Sequence, residues 1–402
     1  MPELFPFCGL RYTGATDLIA VTAPPYDVID DDERAALEQS DPHNAVQLIL
    51  PRHEHEGDGY ERAAEMVREW TASGVLARDP EPRLYAYRMT FETTEGEPRH
   101  TMGIIGALGL PDKVDNDDVL PHERTLPKAR SDRLALLRAT RTNLDPIWGL
   151  SLAEGLTAAI GPMEVVHHAV DASGTHHEIA IIDPARVPEI QRIVASAPIV
   201  IADGHHRYET ARAYRTEHPD DPAAHQIMAF IVELTEDELC VRPIHRLVHG
   251  VPDLRAQLAG HVEVEACGEG TEGLDVLVRR MRAEGALGFV DREGMALLHL
   301  PNMETHAPFA EVPDVLREID AVCFDVGVRP GLGDVELTYR DDSAHCAALV
   351  DKGAAEAAIL LEPVSVAQIR AAAIAGVRMP EKTTYFFPKP RTGMVFRELD
   401  AQ

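Results

Sequence analysis

Residues 199–214 read IVIADGHHRYETARAY. A run of apolar, mostly β-branched residues from Ile199 to Ala202 stops at Asp203-Gly204. A helical pattern follows at once, with Ala211 and Tyr214 on one buried face. A strand that feeds straight into a helix commits the chain to layers, since the strand must join a sheet and the helix must pack against it. The first turn of such a helix carries unpaired N–H groups and about half a positive charge from the macrodipole. That makes it an anion site. Gly204 permits the tight turn and close backbone approach to a ligand. Arg207 offers a planar fork suited to phosphate oxygens. His205 and His206 add donors, and His206 is assigned the further task of moving a proton near neutral pH. Asp203 can cap the helix or hold Mg²⁺. Glu209 stands three residues past His206, the spacing of a capping box. A transition metal on His205 and His206 is disfavoured, because adjacent residues rarely aim two imidazoles at one ion and no third ligand lies at a familiar spacing.

Bulk properties narrow the partner. The chain has 38 Lys and Arg against 67 Asp and Glu, a formal net charge of -29. Affinity for nucleic acid comes mostly from cations that neutralise phosphates, so no nucleic acid and no anionic membrane is expected as partner. A local basic pocket for a small phosphorylated molecule is still allowed. The five cysteines form no CxxC pair and their number is odd, which points to reduced core thiols and a cytoplasmic location. The opening MPELFPFCGLRYTG lacks a basic stretch followed by an apolar one, so no secretory signal is expected. No stretch approaches the ~18 apolar residues of a membrane span. The P-loop, the dinucleotide GxGxxG and the GxSxG elbow are all missing, which argues against a P-loop kinase, a Rossmann dehydrogenase and an α/β-hydrolase.

Periodicity supplies the rest of the outline. Asp30 to Asp32 can cap a short helix through Leu37. Val46 to Leu50 reads as a strand ending at Pro51, and Gly59 to Ser73 as a helix with Ala63, Val67 and Trp70 on one face. Leu84 to Phe91 alternates like a strand, with Thr101 to Leu110 its partner; Gly103 and Gly106 there suit close backbone approach. The segment LPHERTLPKAR reads as loop between prolines, and Asp132 to Thr140 as helix. A hairpin is expected around HHAVDASGTHHEIAII. After residue 250, strands (VEVEACGE, ALGFVDREGMALLHL, VELTYR, AAILLEP) alternate with helices. The expected architecture is therefore α/β or α+β, with a domain over 1–250 and a C-terminal α/β region over 251–402 that completes the site. The tail RMPEKTTYFFPKPRTGMVF reads as β-rich, with Lys382, Thr384 and Phe386 alternating against Thr383, Tyr385 and Phe387.

DGHHRYETA (Asp203 to Ala211) resembles the nucleotide-binding motif of the ParB and sulfiredoxin-like superfamily, and its double histidine looks most like the free serine kinases within it. The chain as a whole resembles a bacterial and archaeal family long labelled a domain of unknown function. The match is carried by APPYDVI (Ala23 to Ile29), HERT (His122 to Thr125) with the following SDRL, DGHHRYETA, HRLV at His245, and MPEKTTYFFPK (Met379 to Lys389). The resemblance implies a ParB/sulfiredoxin-like core that binds ATP or ADP with Mg²⁺, for which Asp203 is the candidate ligand, and phosphoryl transfer to a small hydroxyl compound such as free L-serine. It also implies a glutamate base upstream of DGHHR, a place that Glu123 holds here, with His122 as neighbour or alternate. A carboxylate in a shielded loop can take the proton of an alcohol as the bond to phosphorus forms. Lys128 and Arg133 would add charge for phosphate oxygens. Tyr26 and Asp27 after two prolines, Asn44, His245, Arg246, Lys382 and Thr383 are the expected substrate contacts. Two other readings stay open: a ParB-type nucleotide-hydrolysing switch, and a phosphatase or nuclease using the same anion site. A homo-oligomer is compatible with all three.

Overall fold

The computed structural model describes residues 1–14, 17–53, 55, 58–93, 96–111, 118–121, 128–251, 253–300 and 307–399. It divides into two compact units. The first takes in the described parts of Met1–Pro121, Thr125–Cys240 and Pro388–Gln402; the second is built from Val241–Phe387. Residues 388–399 thus belong with the first unit, whereas the sequence groups them with 251–402.

A nine-stranded mixed sheet forms the first unit. Its order is Val119–Pro121, Ile199–Asp203, Ile147–Ser151, Gln226–Glu233, Pro98–Gly109, Tyr85–Glu92, His176–Ile181 and Val165–Val170, with Leu4–Phe5 added beside Pro98–Gly109. Ile199–Asp203 runs parallel to Val119–Pro121 and antiparallel to Ile147–Ser151. Ile147–Ser151 is parallel to Gln226–Glu233. The expected pairing of the strands near 85 and 105 is present, and so is the hairpin of His176–Ile181 with Val165–Val170. At Gly103 a Cβ would lie 2.4 Å from the Ile231 carbonyl oxygen, so the neighbouring strand demands the glycine. The helix His205–Glu217 packs on this sheet, Lys128–Thr140 packs on that helix, and Asp58–Ala72 packs in turn on Lys128–Thr140. Tyr208, Ala211 and Tyr214 of the first of these are buried.

Two local expectations fail here. Val46 to Leu50 is a helix, Val46–Ile49, because the Asn44 side-chain oxygen accepts from the Val46 N–H at 2.8 Å and starts a turn. A five-residue apolar run does not by itself separate strand from helix. Lys128–Thr140 begins four residues earlier than the loop reading allowed.

The second unit holds a six-stranded sheet in the order Glu263–Gly268, Gly294–His299, Leu287–Asp291, Ala357–Leu360, His245–His249 and Glu336–Arg340. Its ladders are all antiparallel. The helices Gly270–Glu284, Ser343–Asp351 and Val366–Ile374 match the stretches LDVLVRRMRAEG, AHCAALVDKG and SVAQIRAAAIAG that read as helical, whereas PDVLREIDAVCF, read as a fourth helix, breaks into short turns at Asp314–Leu316 and Asp320–Cys323. In the expected β-rich tail, Arg378 to Phe396, only Tyr385–Phe387 is a strand, and Arg397–Glu398 follows it.

Candidate functional site

The end of strand Ile199–Asp203 is irregular. Ile201 faces Gly149, but Asp203 faces Trp148, so the register slips between them. Such a bulge re-aims the side chain that follows it. Gly204 then adopts φ +88° and the helix His205–Glu217 starts. The glycine is doubly required. Its φ lies in the left-handed region, and a Cβ would sit 3.0 Å from Arg207 Cζ. The capping box expected from Glu209 is not formed; Glu209 faces Arg212 at 3.9 Å.

Arg207 is held on two sides. Nη2 donates to Asp203 Oδ2 at 2.6 Å, and Nη1 donates to the Pro146 carbonyl. Lys389 bonds the other oxygen of Asp203. Burial alone would raise the Asp203 carboxyl, but Lys389 and Arg207 hold it well below the usual carboxylate range. A carboxylate whose two oxygens each meet a cation does not fit the role of magnesium ligand that the sequence suggested. Asp203 instead anchors Lys389 and Arg207.

Beside this turn lies a small cleft of about 60 Å³. Ile49, Leu136, Leu137, Leu144, Ala211 and Ile227 form its apolar wall. Tyr26, Arg133, Asp145, Arg207, Thr142, Asn143 and Thr210 supply the polar groups. Arg133 stacks on the Tyr26 ring, 4.4 Å from its centroid, and donates to Asp132 and to the Ile49 carbonyl. Two buried polar atoms of cleft residues, Arg207 Nε and Thr210 Oγ1, have no hydrogen-bond partner among the described residues. Buried polar groups in native proteins are rarely left so, and a missing water or ligand is the usual reason.

Of the expected residues, the cleft and its rim bring together Tyr26, Arg133, Asp203, Gly204 and Arg207. Asp27 is exposed but lies close enough to bear on the charge of both Asp145 and Arg207. His205 and His206 form the first helical turn. His122 and Glu123 lie outside the described residues, and Lys128 opens the helix Lys128–Thr140.

Others are used elsewhere. Asn44 is fully buried and its amide donates to the Ala20 and Thr22 carbonyls, so it is a structural tie and not a substrate contact. His245 and Arg246 sit in a strand of the second unit, 4% and 2% exposed. His245 Nδ1 accepts from the Leu361 N–H, and Arg246 donates to the Ile244 carbonyl beneath the Phe324 and Tyr339 rings. Both are committed to packing. Lys382 is exposed at φ +58°, and the Thr383 hydroxyl donates to the Pro380 carbonyl at 2.7 Å; both precede the strand on which alternation had placed them.

Sequence reasoning missed Asp145 and Thr210 and left Lys389 without a role. Asp145 follows no motif, and what marks it is the Thr392 hydroxyl that donates to it.

No curated protein matches the sequence. Among solved structures, a conserved hypothetical protein from Pyrococcus furiosus is similar at TM-score 0.38 and 12% identity, over 71% of this chain and 93% of that one. A free serine kinase in complex with AMP is similar at TM-score 0.40 and 15% identity, over 73% and 95%. SbnI with a C-terminal truncation, from Staphylococcus aureus, is similar at TM-score 0.40 and 11% identity, over 72% and 85%. These likenesses are too distant to assign a site or an activity. The sequence itself matches, over residues 4–322, the pattern of the family described as "Protein of unknown function (DUF1015)", and the chain belongs to that family.

Proposed function

We propose that this protein is a phosphotransferase with a ParB/sulfiredoxin-like core, moving a phosphoryl group from ATP or ADP to a small hydroxyl compound, with free L-serine the first acceptor to test. One observation carries the reading. A thirteen-residue helix opens at Gly204, in the left-handed region at φ +88°, and Asp203 and the Pro146 carbonyl lock Arg207 beside that glycine. The positive end of the helix dipole and a fixed guanidinium make a phosphate cradle. The resemblance of DGHHRYETA to a nucleotide-binding motif supports the same assignment.

In this mechanism the first helical turn and Arg207 bind the phosphates, and Asp203 keeps Arg207 and Lys389 in register. The cleft wall around Leu136, Leu144 and Ile227 excludes water from the transferred group. His122 and Glu123 remain proposed for the acceptor side. No step is routed through a metal, because Asp203 already meets two cations.

The test is calorimetric titration of the full chain with ADP and ATP, followed by incubation with L-serine and mass spectrometry for O-phosphoserine. Arg207→Lys keeps the charge but loses the fork, so nucleotide affinity should fall about tenfold, ~1.4 kcal/mol. Unchanged affinity would remove the turn from the site. Nucleotide hydrolysis without an acceptor, together with a nucleotide-dependent change in oligomer size, would favour the switch instead.

A further inference from the structure

We infer that Asp145 is the group that takes the proton from the acceptor hydroxyl, in a cleft that holds a small hydroxyl-bearing molecule. This rests on the phosphotransferase reading above and gives the role of base to Asp145 in place of Glu123, which is left to contact the acceptor.

Three carboxylates around the cleft can be compared. Asp203 is held by Arg207 and Lys389, and Asp132 by Arg133 and the Tyr60 hydroxyl. Both carboxyls sit below their ordinary range: burial raises each, but their cationic and hydrogen-bonding partners outweigh it. A carboxylate so stabilised is a weak base. Asp145 is held differently, by the neutral Thr392 hydroxyl. It lines the cleft with Arg207, Arg133 and Tyr26. Burial raises its carboxyl above the usual value; Arg207, the Thr392 hydroxyl and Arg133 pull it back, and Asp27 pushes it up again. A base whose affinity for protons is closer to working pH is the more effective one.

The position of Asp145 is fixed from three sides. It precedes Pro146, which restricts its backbone to extended conformations. The Pro146 carbonyl in turn receives Arg207 Nη1, so one dipeptide carries both the base and a support of the phosphate-binding arginine. Thr392, which bonds the carboxylate, is itself paired to Ala23 by two backbone bonds of 2.8 and 3.1 Å. That bridge stands three residues before Tyr26. Two cleft residues, Arg207 and Thr210, have buried polar atoms without partners. A hydroxyl ligand fits this set because it both donates, to Asp145, and accepts.

The step balances with the nucleotide as the only co-reactant. The O–H bond of the acceptor breaks and its proton passes to Asp145. The oxygen pair forms the new O–P bond, while the bridging P–O bond breaks and its electron pair leaves with the nucleotide. The proton then returns to solvent.

The experiment uses the full chain with ATP or ADP and a panel of small hydroxyl acceptors that includes L-serine. In Asp145→Asn, nucleotide affinity should stay within threefold while transfer falls by about 100-fold or more, the usual scale of a lost general base. Transfer within threefold of the parent overturns the inference and leaves the phosphotransferase reading standing. Nucleotide binding with no transfer by the parent protein to any acceptor ends that reading, and the role of Asp145 with it. Should Asp145→Asn fail to fold, Thr392→Val decides. The lost hydroxyl no longer favours the charged carboxylate, so the acidic limb of the pH–rate profile must move to higher pH. A limb that stays in place overturns the inference.

Discussion

Arg207 and Arg246 each follow a histidine directly, the first half-buried and the second buried, and each stands out as a cation in an acidic chain. Their situations differ. Arg207 lies at the start of a helix, spends two nitrogens on Asp203 and the Pro146 carbonyl, and keeps a third without a partner at the edge of a cleft. Arg246 lies within a strand, 5.5 Å from the Phe324 ring and 5.4 Å from that of Tyr339. A helix start leaves donors over and gathers them at one point. A central strand spends its backbone donors on its neighbours and its side chains on the core. The residue types are the same, and the element decides which of them has anything left for a ligand.

The histidines extend the contrast and give the largest effect. Burial pushes His245 down from 6.5 to about 4, with the Arg246 charge acting the same way. The unfolded chain therefore takes up this proton at a higher pH than the folded one. Stability contributed by the neutral ring is complete above pH 6.5 and is lost as pH falls towards 4. The loss reaches about 2 kcal/mol by pH 5 and about 3 kcal/mol by pH 4, at 1.36 kcal/mol per unit. Asp203 behaves in the opposite range: its stabilisation is present above the unfolded value of 3.8 and disappears only as pH falls below it. Urea unfolding at pH 7 and pH 5 should show the loss in the parent protein and a flatter response in His245→Gln, which keeps an acceptor for the Leu361 N–H. Equal slopes in the two proteins would break the assignment of His245 to the core.

Next in size is Gly204→Ala. The left-handed backbone costs a side chain about 1–2 kcal/mol, and the added Cβ would press on Arg207 at 3.0 Å. Thermal stability should fall by that amount, and nucleotide affinity should fall with it because the guanidinium must shift. Lost stability with unchanged affinity would separate the turn from the ligand and leave Arg207 a structural arginine like Arg246.

What could be read from the sequence was local. The strand, turn and helix at Ile199 to Glu217 follow from a β-branched run, one glycine and one helical face. The elements beyond residue 250 follow from alternating patterns of the same kind. The sheet order does not, because Ile199–Asp203 inserts between Val119–Pro121 and Ile147–Ser151, strands that precede it in the chain. Half of the candidate site was hidden for the same reason. Lys389 reaches Asp203 across 186 residues, and Thr392 reaches Asp145 across 247. An isolated aspartate before a proline has no signature until the fold brings its partner. Asn44, His245 and Arg246 misled in the other direction: polar residues read as spare proved to be the ties of their own elements.

The smallest effect tests the remaining cation of the second unit that the sequence singled out. Lys382 is exposed, at φ +58°, with its ammonium 5.9 Å from the centre of the Tyr339 ring. A lysine pays for a left-handed backbone, whereas glycine does not, though glycine frees the unfolded chain. The two nearly offset, and Lys382→Gly should raise stability by about 0.5 kcal/mol. If the lysine serves only this turn, KM for nucleotide and acceptor should not move. A tenfold rise in either KM at unchanged stability would show that the strained conformation is kept for a ligand, and Lys382 would then stand with Arg207 and not with Arg246.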